Sequence, residues 1–250
     1  MKKTYKKNLL FTGFLFIVVN FALFFTFKEF KKEESIVKIS PELDIALMAL
    51  NENSENNYIL GKHISIINDN NTFQEMINSL NNKDHEIKNK ITVFMMFSCI
   101  HCYNLEKTLM KLSRENAINI RNFNHEHLVS SKNLSQADLL YRIKQVSNYH
   151  DLLSESMIAI HDKKLNILNF EVISSIMESL NLSEDEQNKV LTPSNSIQPF
   201  TEDGFTLSKY LSVTGTPTVI INGKYLVNRN AFSSHEEVLL FANKLYELLK

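Results

Sequence analysis

The chain has 250 residues, of which 44 % are hydrophobic and 22 % charged, a globular composition that excludes a disordered protein. Five glycines and four prolines are few for this length and favour a helix-rich fold over a β-sandwich. The net charge is −1, and four lysines in residues 1–27 leave a mildly acidic remainder, so no nucleic-acid partner is expected.

Residues 9–27 form an apolar run of 19 residues behind those four lysines. At about 1.5 Å per residue, a helix of this length just spans the hydrocarbon core of a bilayer, and the lysines place its N-terminus in the cytoplasm. We therefore expect residues 1–28 to be a signal anchor in the inner membrane, with a cleaved signal peptide as the alternative. Both place the rest of the chain in the periplasm or another extracytoplasmic space, where disulfides persist.

Residues 29–57 are predicted to be a polar connector with one short helix, which Ser40 caps and Pro41 opens. This helix carries so many apolar residues that it must dock, either on its own domain or on a second protomer of a homodimer. Weak alternation over residues 58–67 predicts an edge strand. A capping box at residues 72–75 predicts the next helix.

The motif Cys99-Ile100-His101-Cys102 contains both cysteines of the chain. The apolar residues 91–97 predict a buried strand before it, and leucines at helical spacing predict a helix after it. Ser98 is the predicted N-cap, which places Cys99 in the first helical turn. Free backbone N–H groups and the positive end of the helix dipole stabilise a thiolate there, and His101 adds to this effect.

Two other roles for this cysteine pair are less consistent with the sequence. A structural zinc site needs four ligands, and nothing places His125 and His127 near Cys99 to complete one. A purely structural disulfide that closes so short a loop would remove little chain entropy. A redox-active dithiol is therefore favoured, and neither a metal nor a cofactor is expected.

The second half of the chain begins with a predicted core strand at residues 118–123. Helix caps then follow in series without a strand signal, which predicts an inserted helical domain over residues 131–205. Residues 192–205 are its predicted final loop, and residues 206–211 form a helix that returns to the first domain.

The last fifty residues carry a strong hairpin signal. Asn222 and Gly223 stand between two apolar runs, as in a two-residue β-turn. Pro217 lies at the start of the first of these strands, where a missing N–H is tolerated. Ser234 opens a capping box for the last helix.

The order of these elements resembles the thioredoxin superfamily, and within it the DsbA family of exported thiol oxidases. Residues 97–106 are similar to the family's Cys-x-His-Cys-Tyr-x-x-Glu signature, and residues 215–225 are similar to its cis-proline loop and hairpin. The resemblance covers residues 90–250. It implies an α/β, thioredoxin-like fold over residues 58–130 and 206–250, interrupted by the helical insertion.

The resemblance also implies the roles of five residues. Cys99 is expected to be the exposed nucleophile, Cys102 the buried resolving thiol, and His101 a catalytic residue that stabilises the thiolate. Pro217, cis in the family, faces the cysteines and helps to keep metals out. The backbone of Thr216 is expected to bind the substrate chain.

Three positions depart from the best-known members of the family. Ile100 stands where they have proline, and Thr216 replaces the valine common in dedicated oxidases. Val93 stands where an acidic residue is expected beneath the active site. These changes leave the direction of the redox reaction open.

The predicted function is that of a thiol:disulfide oxidoreductase, which donates its Cys99–Cys102 disulfide to unfolded exported proteins with free thiols. The resemblance implies that a DsbB-like membrane quinone reductase reoxidises it. The alternatives are a dimeric disulfide isomerase or reductase and a chaperone-like binding protein with an incidental dithiol.

Overall fold

A computed structural model describes residues 40–52, 57–67, 75–76, 78, 87–130, 132–192 and 197–250, with residues 197–203 described by their backbone alone. All of them belong to one unit, Ile39–Lys250. The predicted membrane segment lies outside the described residues, as does most of the helix predicted after residue 72. Within the described ranges, no helix is both long and apolar enough to cross a bilayer.

A mixed five-stranded sheet forms the centre of the fold. Its strands are β1 (Ile64–Ile66), β2 (Ile91–Met95), β3 (Phe123–His127), β4 (Thr218–Ile221) and β5 (Tyr225–Val227), in the order β1-β5-β4-β2-β3. Only β2 and β3 run parallel, and the other neighbours are antiparallel. Asn222 and Gly223 have φ angles of 53° and 66°, which confirms the predicted two-residue turn between β4 and β5.

Helices cover both faces of this sheet. They are α1 (Pro41–Glu52), α2 (Ile100–Arg114), α3 (Leu134–Ile143), α4 (Tyr149–His161), α5 (Phe170–Ser179), α6 (Glu184–Leu191), α7 (Ile197–Tyr210) and α8 (His235–Leu248). α1, α2 and α8 share one core with the sheet, to which Val93 belongs. On the other face Phe94 packs with Leu207 of α7 and with Leu211, which directly follows this helix. α3 to α6 form a further core, which includes Cys102 near the start of α2.

Helix α1 docks on its own domain. Ser40 accepts a hydrogen bond from the Leu43 N–H, as predicted for its N-cap. Four apolar residues of α1 are buried in the core that contains α8: Leu43, Ala46, Leu47 and Leu50. Ile45 and Met48 remain 67 % and 64 % exposed, so the outer side of α1 is still apolar.

The second core strand begins later than the sequence predicts. Residues Ile120–Asn122 form a short 3-10 helix, and the strand β3 follows at Phe123–His127. All five strand residues are buried, although four of them are polar. A search for apolar runs misses such a strand, because its burial depends on partners that other elements supply.

The predicted loop at residues 192–205 is wrong from residue 197 onward. Helix α7 runs from Ile197 to Tyr210 instead of beginning at residue 206. Pro199 lies in its first turn, where backbone N–H groups have no intrahelical acceptor, so proline does not break the helix. A Cβ atom on Gly204 would lie 3.0 Å from Val129 Cγ2, so glycine allows α7 to approach the segment after β3 closely.

Candidate active site

The sulfur of Cys99 caps the helix that carries both cysteines. The sequence predicts Ser98 as the N-cap, but the helix begins one residue later, and Cys99 takes that position. Its Sγ accepts a hydrogen bond of 3.2 Å from the Cys102 N–H. Cys99 is half-buried, whereas Ile100 and His101 are exposed. The first cysteine therefore lies at the surface and interacts with a free N–H of the helix terminus.

The loop before β4 completes the surroundings of Cys99. Pairing of β4 with β2 brings this loop to the end of the strand that leads to the cysteines. The Thr216-Pro217 peptide bond is cis, as the resemblance implies. The Cys99 thiol donates to the Thr216 carbonyl oxygen at 3.6 Å. The fold thus places Thr216 and Pro217, both half-buried, beside a cysteine more than a hundred residues earlier.

Cys102 differs sharply from Cys99 in its environment. It is 2 % exposed and belongs to the core of α3 to α6. Burial is the main cause that raises the pKa of its thiol to about 12, and a hydrogen bond with Cys99 adds to this. Hydrogen bonds to Thr216 and Met96 act in the opposite direction. The buried thiol is therefore protonated near neutral pH.

Three side chains to which the sequence assigned no role hold the catalytic segment against the inserted helices. The Tyr103 ring stacks on His161, with centroids 5.0 Å apart and planes 14° apart. The Tyr103 hydroxyl donates to Asp162 Oδ2 at 2.7 Å, which is the main reason why the pKa of Tyr103 rises to about 12. His161 Nε2 donates to the Phe97 carbonyl oxygen at 2.8 Å. The inserted helices thus position the strand end and helix start that flank Cys99.

A buried acid–imidazole pair lies one helical turn after Cys102. Glu106 Oε2 is 2.8 Å from Nε2 of His125 in β3, and their side chains are 4 % and 1 % exposed. Val93, at the position where the family resemblance predicts an acidic residue, is the register partner of His125. The carboxyl group next to this position therefore comes from Glu106 of α2. The glutamate of the Cys-x-x-Cys signature was the only sequence signal for it.

Glu126 and His127 are also buried polar residues of strand β3. Glu126 Oε1 is 2.8 Å from Lys144 Nζ, and their side chains are 2 % and 9 % exposed. His127 packs near Phe97, with ring centroids 5.9 Å apart. Burial is the main cause that lowers the pKa of His127 to about 4. The strand is thus held in place by polar contacts with its surroundings.

Comparison with known proteins identifies the family of this chain. A family model described as Thioredoxin matches residues 84–239, more than half of the chain. The chain belongs to the thioredoxin family. Its curated relatives include the thiol:disulfide interchange protein DsbA of two Pseudomonas aeruginosa strains, each 23 % identical over 162 residues, which is 64 % of this chain and 75 % of the relative.

Solved structures of DsbA proteins share the fold. Pseudomonas aeruginosa DsbA has a TM-score of 0.53 at 19 % identity and covers 77 % of this chain and 95 % of its own. Reduced DsbA1 of Neisseria meningitidis has a TM-score of 0.52 at 23 % identity, with coverages of 77 % and 97 %. The thioredoxin-like α/β fold is confirmed, and the chain is a DsbA-like thiol:disulfide oxidoreductase.

Proposed function

We propose that this DsbA-like enzyme acts as an oxidase, which donates a Cys99–Cys102 disulfide to unfolded exported proteins. The observation that carries the proposal is the position of the Cys99 sulfur, which caps α2 and accepts the Cys102 N–H. A helix N-terminus stabilises a thiolate and therefore the reduced enzyme. Stabilising the reduced form makes the disulfide a stronger oxidant.

The reaction proceeds in two exchanges. A substrate thiolate attacks the sulfur of Cys99, a mixed disulfide forms, and the Cys99–Cys102 bond breaks. Cys102 leaves as a thiolate and takes up a proton, in line with the raised pKa of its buried thiol. A second substrate thiolate then attacks the substrate sulfur and releases Cys99. The substrate loses two electrons and the dithiol gains them.

Two further assignments complete the proposed site. His101 stabilises the Cys99 thiolate through its imidazole, from an exposed position two residues along the chain. The extended substrate chain binds along the backbone of Thr216 beside Pro217. The contact of 3.6 Å between Cys99 Sγ and the Thr216 carbonyl oxygen supports this, since a substrate paired there would lie next to the reacting sulfur.

The reduction potential tests the direction of the reaction. We expect a value between about −180 mV, as in protein disulfide isomerase, and about −120 mV, as in DsbA. His101→Ser should lower it by roughly 5–20 mV, the size expected for a solvent-exposed interaction. Equilibration with glutathione measures the reduction potential of the wild type and of His101→Ser. His63→Ser, at the far edge of the sheet, is the control. A potential near that of thioredoxin, about −270 mV, would contradict the oxidase.

We also infer that the enzyme works outside the cytoplasm, anchored in the inner membrane by residues 9–27 and reoxidised by a DsbB-like quinone reductase. The apolar run and the lysines before it support this placement. A reporter that is active only outside the cytoplasm should therefore work when it is fused after Lys250. An active cytoplasmic reporter at the same position would exclude this location.

A dimeric disulfide isomerase is the second candidate, which the exposed Ile45 and Met48 on α1 favour. A dimer would bury these side chains between two copies. In that case the full-length chain should sediment as a dimer, and Ile45→Lys with Met48→Lys should make it a monomer. Leu168→Lys, another exposed apolar site, serves as the control. A monomeric wild-type protein would remove this candidate.

A further inference from the structure

Three side chains from three elements meet beside the core of the inserted helices. They are Glu106 of α2, His125 of β3 and His150 of α4, and each offers one ligand atom within 4.8 Å of the other two. We propose that Glu106, His125 and His150 bind a divalent transition-metal ion such as Zn²⁺, independently of the cysteine pair and of the direction of its redox reaction.

The hydrogen bonding of the cluster is incomplete. The Glu106–His125 contact of 2.8 Å uses one polar atom of each residue. Within the described part of the chain, nothing pairs with the buried Glu106 Oε1, His125 Nδ1 or His150 Nδ1. Glu106 is 3 % exposed and His125 1 %, so both side chains are shielded from bulk solvent. Buried polar groups without partners are uncommon, and a bound cation would satisfy groups of this kind.

The donor set is that of a metal site. Two imidazoles and one carboxylate are the protein ligands of several zinc enzymes, in which a fourth position stays open. Imidazole nitrogens favour zinc, cobalt, iron or copper over magnesium and calcium, which prefer oxygen ligands alone.

An open cavity reaches the cluster at His150. It has a volume of about 450 Å³, and its lining includes His150, Tyr149 and Asn124. Lys90, Arg121 and Lys144 also line it, although Lys144 is paired with Glu126. This positive lining slows the entry of a cation and favours an anion such as chloride or hydroxide as the fourth ligand.

The proposed ion would stabilise the fold around the cysteines. Glu106 follows Cys102 in α2, His125 lies in the central sheet, and His150 is the second residue of α4. These elements are far apart in sequence, so the assembled site exists only in the folded chain. A ligand that binds only the folded state raises its apparent stability.

The test uses the full-length protein in its oxidised form, so that no cysteine thiolate can bind metal. Calorimetric titration with Zn²⁺, after long equilibration, should give one ion per chain, and Zn²⁺ should raise the melting temperature. His150→Gln, at a half-buried position, and Glu106→Gln should each weaken binding at least tenfold. His63→Gln, a buried histidine outside the cluster, should leave it unchanged. Absence of binding at one ion per chain, or binding that survives both cluster variants, would overturn the proposal.

Discussion

Replacing Cys102 with serine should trap the enzyme in mixed disulfides with its substrates. The reduced variant keeps Cys99 at the surface, so it still attacks a disulfide of an oxidised substrate. In the wild type, the buried thiol of Cys102 lies one turn into the helix and resolves the bond. A hydroxyl at that position cannot do so, and disulfide turnover should fall at least about a thousandfold, as when one member of a catalytic unit is removed.

Non-reducing electrophoresis and mass spectrometry of the adduct measure this outcome. Cys99→Ser is the matched control, and it should form no adduct, because Cys102 is 2 % exposed and its pKa is raised to about 12. If both variants trapped substrate equally, the proposed division between an exposed nucleophile and a buried resolving thiol would be wrong.

Lys144→Met should strongly destabilise the fold. The substitution leaves the Glu126 carboxylate, 2 % exposed, without its ion-pair partner at 2.8 Å. Breaking a buried pair in this way costs about 3–5 kcal/mol of unfolding free energy. For a protein of this size each kcal/mol lowers the melting temperature by about 2–4 °C, so we expect a fall of about 6–20 °C.

Urea unfolding of matched variants tests whether the loss of stability comes from the unpaired Glu126 carboxylate or simply from removing a positive charge. Glu126→Gln combined with Lys144→Met should recover most of the stability, since no charge then remains unpaired. Lys189→Met, which breaks the exposed pair with Asp185, should cost far less stability, because solvent screens an exposed pair. Equal losses for Lys144→Met and Lys189→Met would show that the buried pair does not stabilise the fold.

The sequence by itself determined the features whose signals are local. The apolar run before Cys99 and the leucines after Cys102 identified β2 and α2, because strand and helix periods are read directly along the chain. Asn222 and Gly223 identified the hairpin, because its turn requires φ angles that these residues adopt readily. The predicted cap at Ser234 was confirmed, since a cap bonds within three residues of itself.

Only the tertiary structure decided where β3 runs and what surrounds the cysteines. Residues 123–127 lack an apolar pattern and are buried because Glu106, Lys144 and other distant groups satisfy them. The contact of His161 with Phe97 spans 64 residues, so no local pattern predicts it. Buried polar groups are stable only where the fold supplies their partners. Their positions, and with them the Glu106, His125 and His150 cluster, follow from how distant segments pack together.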